Sequence, residues 1–221
     1  MATQPNVASL RSLLDPKARK ALIHLYSDLE VDDILASTWA RYADLAPSVP
    51  SQETIGARFM VHLSALTIAM YEALLAAGQS ATGATTLIYD MGWLVYTKMA
   101  EVPWAAAGAF SHDGYEKLRF ATTAFRTFPF DSPSYKWKDI DAGPEAVAFH
   151  CLKCPAAEYF RSQNKSELCV NTWCKLDYPL ARQWGSELKR TGTIASGATV
   201  CDFRWQTVTD KAEPDDQSPQ K

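Results

Sequence analysis

ELKRTGTIASGATVCDFRWQTV, residues 187–208, decides the fold class. Leu188, Val200, Phe203, Trp205, Thr207 and Val208 favour extended backbone. Gly192 and Gly197 between them punctuate a turn. The stretch therefore reads as two strands joined by a glycine-containing turn, in a chain that is helical before it. The segment EAVAFHCLKC, residues 145–154, reads as a further strand, with alternating β-branched and aromatic members. Cys201, Asp202 and Arg204 stand within four residues of this stretch. On a strand Cys201 shares a face with Phe203, and Asp202 and Arg204 take the other.

Working back toward the N-terminus, the pattern is helical. Asp15 and Pro16 read as the start of a first helix that runs to about Leu29. Val31, Ile34, Leu35, Trp39 and Tyr42 mark one face of a second over 31–45. APSVPS, 46–51, breaks the chain, and Ser51 reads as the cap of a long helix closed by Gly78. Residues 82–101 read as another helix, stopped by Pro103, and 113–127 as a fifth, ending before Pro129. FPFDSPSYKWKDIDAGP, 128–144, holds three prolines and reads as a long loop. Residues 154–185 read as two short helices with an interruption. The class is α+β: a helical N-terminal half packed with a small antiparallel sheet and short helices in the C-terminal third. The expected organisation is one domain over 15–208, helical from 15 to 128 and mixed from 145 to 208. A flexible 1–14 and a disordered 209–221 flank it.

Composition narrows the partners. A net charge of −3 over 221 residues, without a clustered basic face, argues against a nucleic-acid partner. FMVHLSALTIAMYEALLAA, 59–77, nearly has the length to span a bilayer. His62 and Glu72 interrupt it, which argues for a buried helix and no membrane partner. The N-terminus lacks an apolar stretch, so the expectation is a cytoplasmic protein with reduced thiols. The apolar helical half suits pairing with a second copy, a homodimer.

All five cysteines lie between 151 and 201. They can be small hydrophobes in a core. Cys151-x2-Cys154 followed by Cys169-x4-Cys174 can also mimic two zinc knuckles, which would make a zinc-stabilised binding module. Or one of them can be a nucleophile, served by a nearby acid–base group. Cys174 and Asp177 are three apart and share a helix face. The alternation around Phe203 buries Cys201 and favours Cys174 as the nucleophile. His62 lies in the most apolar helix, as a base or a core histidine. Arg190 and Arg204 suit a two-pronged grip on a carboxylate. No G-x-S-x-G, P-loop or G-x-G-x-x-G occurs.

The ordered set CPAAEYF (154–160), ELCVNTWCKLDYPLA (167–181) and LKRTGTIASGATVCDFRW (188–205) resembles the L-2-amino-thiazoline-4-carboxylic acid hydrolase family. The matching positions are Cys154 and Pro155, Cys174 and Asp177, Arg190 and Thr191, Thr193, Gly197, and Cys201 through Arg204. The resemblance implies a small-molecule hydrolase that opens a cyclic C=N-containing ring without a cofactor or metal. The family's name reaction adds water at C2 of the thiazoline, breaks the C–S bond and gives N-carbamoyl-L-cysteine. It implies Cys174 or Cys201 as nucleophile and Asp177 or Asp202 as acid–base group, with His62 a further catalytic candidate. Arg190, Arg204, Cys154 and Tyr178 are the expected substrate contacts. The aromatic stock of the first half, Trp39, Tyr71, Tyr89, Trp93, Tyr96 and Trp104, suits a larger ligand, such as a ring from secondary metabolism. The same groups would serve a cyclase or isomerase.

Overall fold

In the computed structural model, which describes residues 7–208, the helices come first and enclose one very apolar member. Helix α1 spans Val7–Leu22 and α2 Asp28–Leu45. A capping box starts α2: Ser27 accepts from Glu30 N–H, and Glu30 reaches back to Ser27. Helix α3, Ile55–Ala76, is long and apolar enough to cross a bilayer, but most of it is buried in the core, where it packs on α2. Helix α4, Ala81–Phe110, packs against α3, and α5, Gly114–Thr127, against α4.

The remainder forms a four-stranded antiparallel sheet and three short helices. The strands are β1 Lys136–Ile140, β2 Ala146–Lys153, β3 Ser186–Lys189 and β4 Cys201–Thr207, in the order β1-β2-β4-β3. The helices are α6 Pro155–Ser162, α7 Ser166–Asn171 and α8 Trp173–Gln183. The α+β class stands, with the sheet in the C-terminal third.

Several boundaries differ from the sequence reading. Helix α1 begins at Val7, so Asp15 and Pro16 lie inside it; Asp15 instead accepts a 2.8 Å bond from the Trp39 indole. Thr54, not Ser51, caps α3. Helix α4 runs through Pro103, because packing on α5 and α8 outweighs the roughly 3 kcal/mol cost of an interior proline. The 128–144 stretch holds β1, whose partner β2 is distant from any local signal. Residues 154–185 form three helices rather than two. The expected glycine-containing turn between β3 and β4 is a connection over 190–200 with a 3₁₀ turn at Ile194–Ser196, capped by Thr193 and closed by Gly197 at φ 94°. Of the expected flexible segment 1–14, residues 1–6 lie outside the described residues, as does the expected disordered tail 209–221.

The start of α3 meets the loop that leads into β1. Thr54 Oγ1 donates to Asp131 at 2.7 Å, and a Cβ on Gly56 would lie 2.4 Å from the Pro129 carbonyl oxygen. That atom is backbone and cannot swing aside. Gly56→Ala is therefore expected to cost about 1–3 kcal/mol by overpacking. A urea-denaturation midpoint equal to that of the unmodified protein would refute the contact.

Candidate active site

Strand alternation builds one wall of a cavity. Cys201, Phe203 and Trp205 of β4 face inward, and the register sets Cys151 opposite Cys201 and Phe149 opposite Phe203 on β2. Phe149 and Phe203 stack with centroids 5.2 Å apart. Helices α3, α4, α5 and α8 cover this face. The space between is about 110 Å³. A single water needs roughly 10–15 Å³ on the same measure, so the cavity takes a small organic molecule.

All five cysteines line it, and all are free thiols. Cys154 begins α6, where its Sγ accepts from Ala157 N–H at 3.5 Å and Pro155 takes the first helical position. Cys151 Sγ donates to the Lys153 carbonyl at 3.1 Å, and Cys169 Sγ lies 4.0 Å from Cys174 Sγ. Among the described residues, no three or more His, Cys, Asp or Glu are placed to hold a metal ion. The knuckle-like spacings do not converge on one point, because they lie on different walls.

The other chemistry at the cavity is a buried ion pair. Arg190 donates to Asp177 Oδ2 at 2.7 Å and to the Cys174 carbonyl at 2.5 Å, while Tyr96 donates to Asp177 Oδ1 at 2.6 Å. The two charged side chains are only 12% and 4% exposed. Burial pushes the Asp177 carboxyl above its usual value, against the pull of Arg190 and Tyr96. Burial opposes the Arg190 charge, but Asp177 outweighs it and the guanidinium stays protonated. Burial, with Asp177 adding to it, holds the Tyr96 phenol neutral.

Among the thiols Cys201 is distinguished. Its Sγ accepts from the Ile194 backbone N–H at 3.2 Å. The Cys151 thiol, then that N–H and the Arg190 charge, hold it below the ordinary thiol value in spite of burial. Hydrogen bonds with Cys154 and Cys201 push Cys151 up. The inward face that was expected to make Cys201 a packing residue is the cavity wall.

The cavity therefore assembles Cys154, Cys174, Asp177, Arg190 and Cys201 from the expected site residues. It does not include His62, Asp202, Arg204 or Tyr178. His62 pairs with Tyr42 Oη at 2.8 Å in the core, and burial lowers its pKa. Arg204 is exposed and donates to the Ala142 carbonyl on the outer face. Tyr178 lies under the Arg190 guanidinium, 5.2 Å from its ring centre. Neither arginine is the open carboxylate clamp that was expected: Arg190 is already paired, and Arg204 faces away.

Asp202 organises the connection instead. Its carboxylate accepts from Thr191 N–H and Oγ1–H and from Gly192 N–H, at 2.7–3.1 Å. These donors outweigh burial and bring its pKa from 3.8 to about 2. A depressed carboxyl stabilises the fold above its unfolded value and ceases to do so as pH falls through its folded one. Asp202→Asn is expected to lower stability by about 1 kcal/mol at pH 7. The gap to the unmodified protein should close between pH 4 and pH 2 in thermal melts. A gap constant over that range would contradict the assignment.

Tyr96 is the partner of Asp177 that sequence reading missed. It ranks there only as one helix aromatic among six, and it meets Asp177 from 81 residues away. Of those six aromatics, it alone lines this cavity.

Fold and geometry define an α+β protein built around a thiol-lined cavity of small-molecule size. Residues 58–205 match the family described as L-2-amino-thiazoline-4-carboxylic acid hydrolase, and the chain belongs to that family. The match reaches back through α3 to α5, beyond the C-terminal motifs, and supports a hydrolase-like function at family level. No curated protein matches the chain significantly. Among solved structures, the Fe(II) unliganded H-NOX protein from K. algicida aligns at a TM-score of 0.46 and 9% identity, covering 90% of this chain and 97% of that one. An alanine-to-glycine mutant of it aligns at 0.45 and 10%, with the same coverage. Both scores are too low to assign a shared fold.

Proposed function

We propose that the protein is a hydrolase that opens a small heterocycle at a C=N carbon, with Cys201 as nucleophile and Asp177 as the acid–base group. The observation that carries this reading is Cys201 itself, with its sulfur on the cavity wall, a backbone N–H donated to it, and Arg190 near enough to favour its thiolate. Asp177, whose carboxyl burial raises above its usual value, lines the same cavity and is suited to accept and return a proton. Arg190 and Tyr96 orient it. The free thiols suit a reducing compartment, and we place the protein in the cytoplasm.

In the first step Asp177 takes the Cys201 proton as the sulfur adds to the ring carbon. The C=N pair moves to the ring nitrogen, which takes that proton from Asp177. The nitrogen's pair then re-forms C=N and breaks the bond from that carbon to the ring sulfur, and the nitrogen's proton passes through Asp177 to the sulfur, which leaves as a thiol. Water adds to the enzyme-bound C=N, one of its protons going through Asp177 to the nitrogen; the carbonyl forms as Cys201 departs and takes up the remaining hydroxyl proton. The sum is one water consumed and one C–S bond broken. For a 2-aminothiazoline, the products are a carbamoyl group and a free thiol on one molecule.

The test is incubation of the pure protein with 2-amino-2-thiazoline-4-carboxylate and with 2-substituted thiazolines. Thiol release is followed colorimetrically and adducts by intact mass. Turnover of any of these rings, with an adduct mapped to Cys201, is the expected result. Absence of both thiol release and adduct across the set would overturn the reading.

A further inference from the structure

Among the described residues, seven buried side-chain nitrogen or oxygen atoms have no hydrogen-bond partner, and four of them belong to residues that line the cavity. They are Tyr135 Oη, Trp184 Nε1, Trp205 Nε1 and Arg126 Nε. Tyr135 and Trp184 are 1% exposed and Trp205 is 4%. Buried donors without acceptors are costly, and a native fold keeps them where something else completes them. All four can donate, and three can do nothing else. Each of the four atoms has less than 1 Å² of open surface, so a ligand that satisfies them must carry acceptors and draw the donors toward it. Arg126 also brings charge: its NH1 is engaged by Asp139 at 2.6 Å, but Asp139 is 80% exposed, so that pair is weak. The Arg126 guanidinium sits 4.3 Å above the Phe149 ring.

The remaining walls are aromatic, which favours a flat, unsaturated ligand. Trp205 is four residues from Cys201 on the same strand, about 13 Å along it. A ligand that reaches from the thiol to the indoles is longer than one five-membered ring.

We infer that the cavity takes an elongated, planar heterocycle bearing an aryl group and an acceptor-rich, anionic end, with Tyr135, Trp184, Trp205 and Arg126 as its specificity-determining contacts. This rests on the cavity being the substrate site. It names a class of substrate larger than a thiazoline bearing a carboxylate alone.

Three probes test it: 2-(4-carboxyphenyl)-2-thiazoline, 2-phenyl-2-thiazoline and 2-methyl-2-thiazoline. Binding to the full-length protein is read by quenching of tryptophan fluorescence, with probe integrity checked by chromatography. The expected order is carboxyphenyl, then phenyl, then methyl, with at least 10-fold between first and last. Tyr135→Phe and Trp205→Phe each remove a donor that has no partner in the protein. Each is expected to weaken the carboxyphenyl probe about 5- to 30-fold, the worth of one hydrogen bond. The Tyr135→Phe melting temperature should not change. Three probes that bind within twofold of one another, or variants that bind the carboxyphenyl probe as the unmodified protein does, would overturn the inference. Turnover of the methyl probe without selectivity would overturn it and leave the hydrolase reading intact. Selective binding of the carboxyphenyl probe with no ring opening would do the reverse.

Discussion

Cys201→Ala is expected to lower kcat/KM on any ring the protein opens by roughly 10³-fold or more, the scale at which enzymes lose a covalent nucleophile. The covalent adduct should vanish with it. Cys174→Ala should keep activity within about fivefold, because Cys174 is then a wall residue whose carbonyl, not its thiol, is bonded to Arg190. The two substitutions are similar in size and sit at the same cavity, so the contrast reports on chemistry rather than packing. Limiting iodoacetamide near neutral pH gives an independent readout, since the thiol with the larger thiolate fraction is labelled first. Label on Cys201 supports the assignment. A large loss in Cys174→Ala with little in Cys201→Ala would hand the nucleophile's role to Cys174.

Asp177→Ala is expected to destabilise the fold by about 3–5 kcal/mol, because it strands the buried Arg190 charge and removes the acceptor of Tyr96. Equilibrium urea denaturation measures it. Removing both charges should behave differently: Asp177→Leu combined with Arg190→Met should recover most of the stability, since two apolar side chains leave no uncompensated ion. Activity should be absent in the single and the double variant alike. That split separates the stabilising role of the pair from its chemistry. A cost under 1 kcal/mol for Asp177→Ala would mean that water reaches Arg190 and that the pair is not sealed in the wall. A double variant that still turned over substrate would remove Asp177 from the mechanism.

Much of the fold was legible because its signals are local. Val31, Ile34, Leu35, Trp39 and Tyr42 recur at helical spacing, and all five are buried on α2. Cys201, Phe203 and Trp205 alternate along β4 and share the inner face, as a period of two requires. The hidden elements depend on distant partners. Strand β1 is a short, mostly polar edge strand after two prolines, and only its pairing with β2 makes it a strand. The eleven residues between β3 and β4, 190–200, look like a loose turn until Asp202 is seen to gather Thr191 and Gly192.

Residue identity and order by themselves determined the α+β class, the family and most of the residues that the candidate site brings together. Each of these is written in spacing along the chain, through helical period, strand alternation and the order of Cys-Pro, Cys-x-x-Asp and Cys-Asp-Phe-Arg. The tertiary structure alone decided which members of that group meet. It turned Cys201 to the cavity and Asp202 and Arg204 to the outer face, and brought Tyr96 and Arg190 onto the two oxygens of Asp177. It also left Tyr135, Trp184, Trp205 and Arg126 with unspent donors around one space. The physical reason is that desolvation, ion pairing and hydrogen-bond satisfaction are properties of neighbours in space, and these neighbours come from helices and strands far apart in the chain.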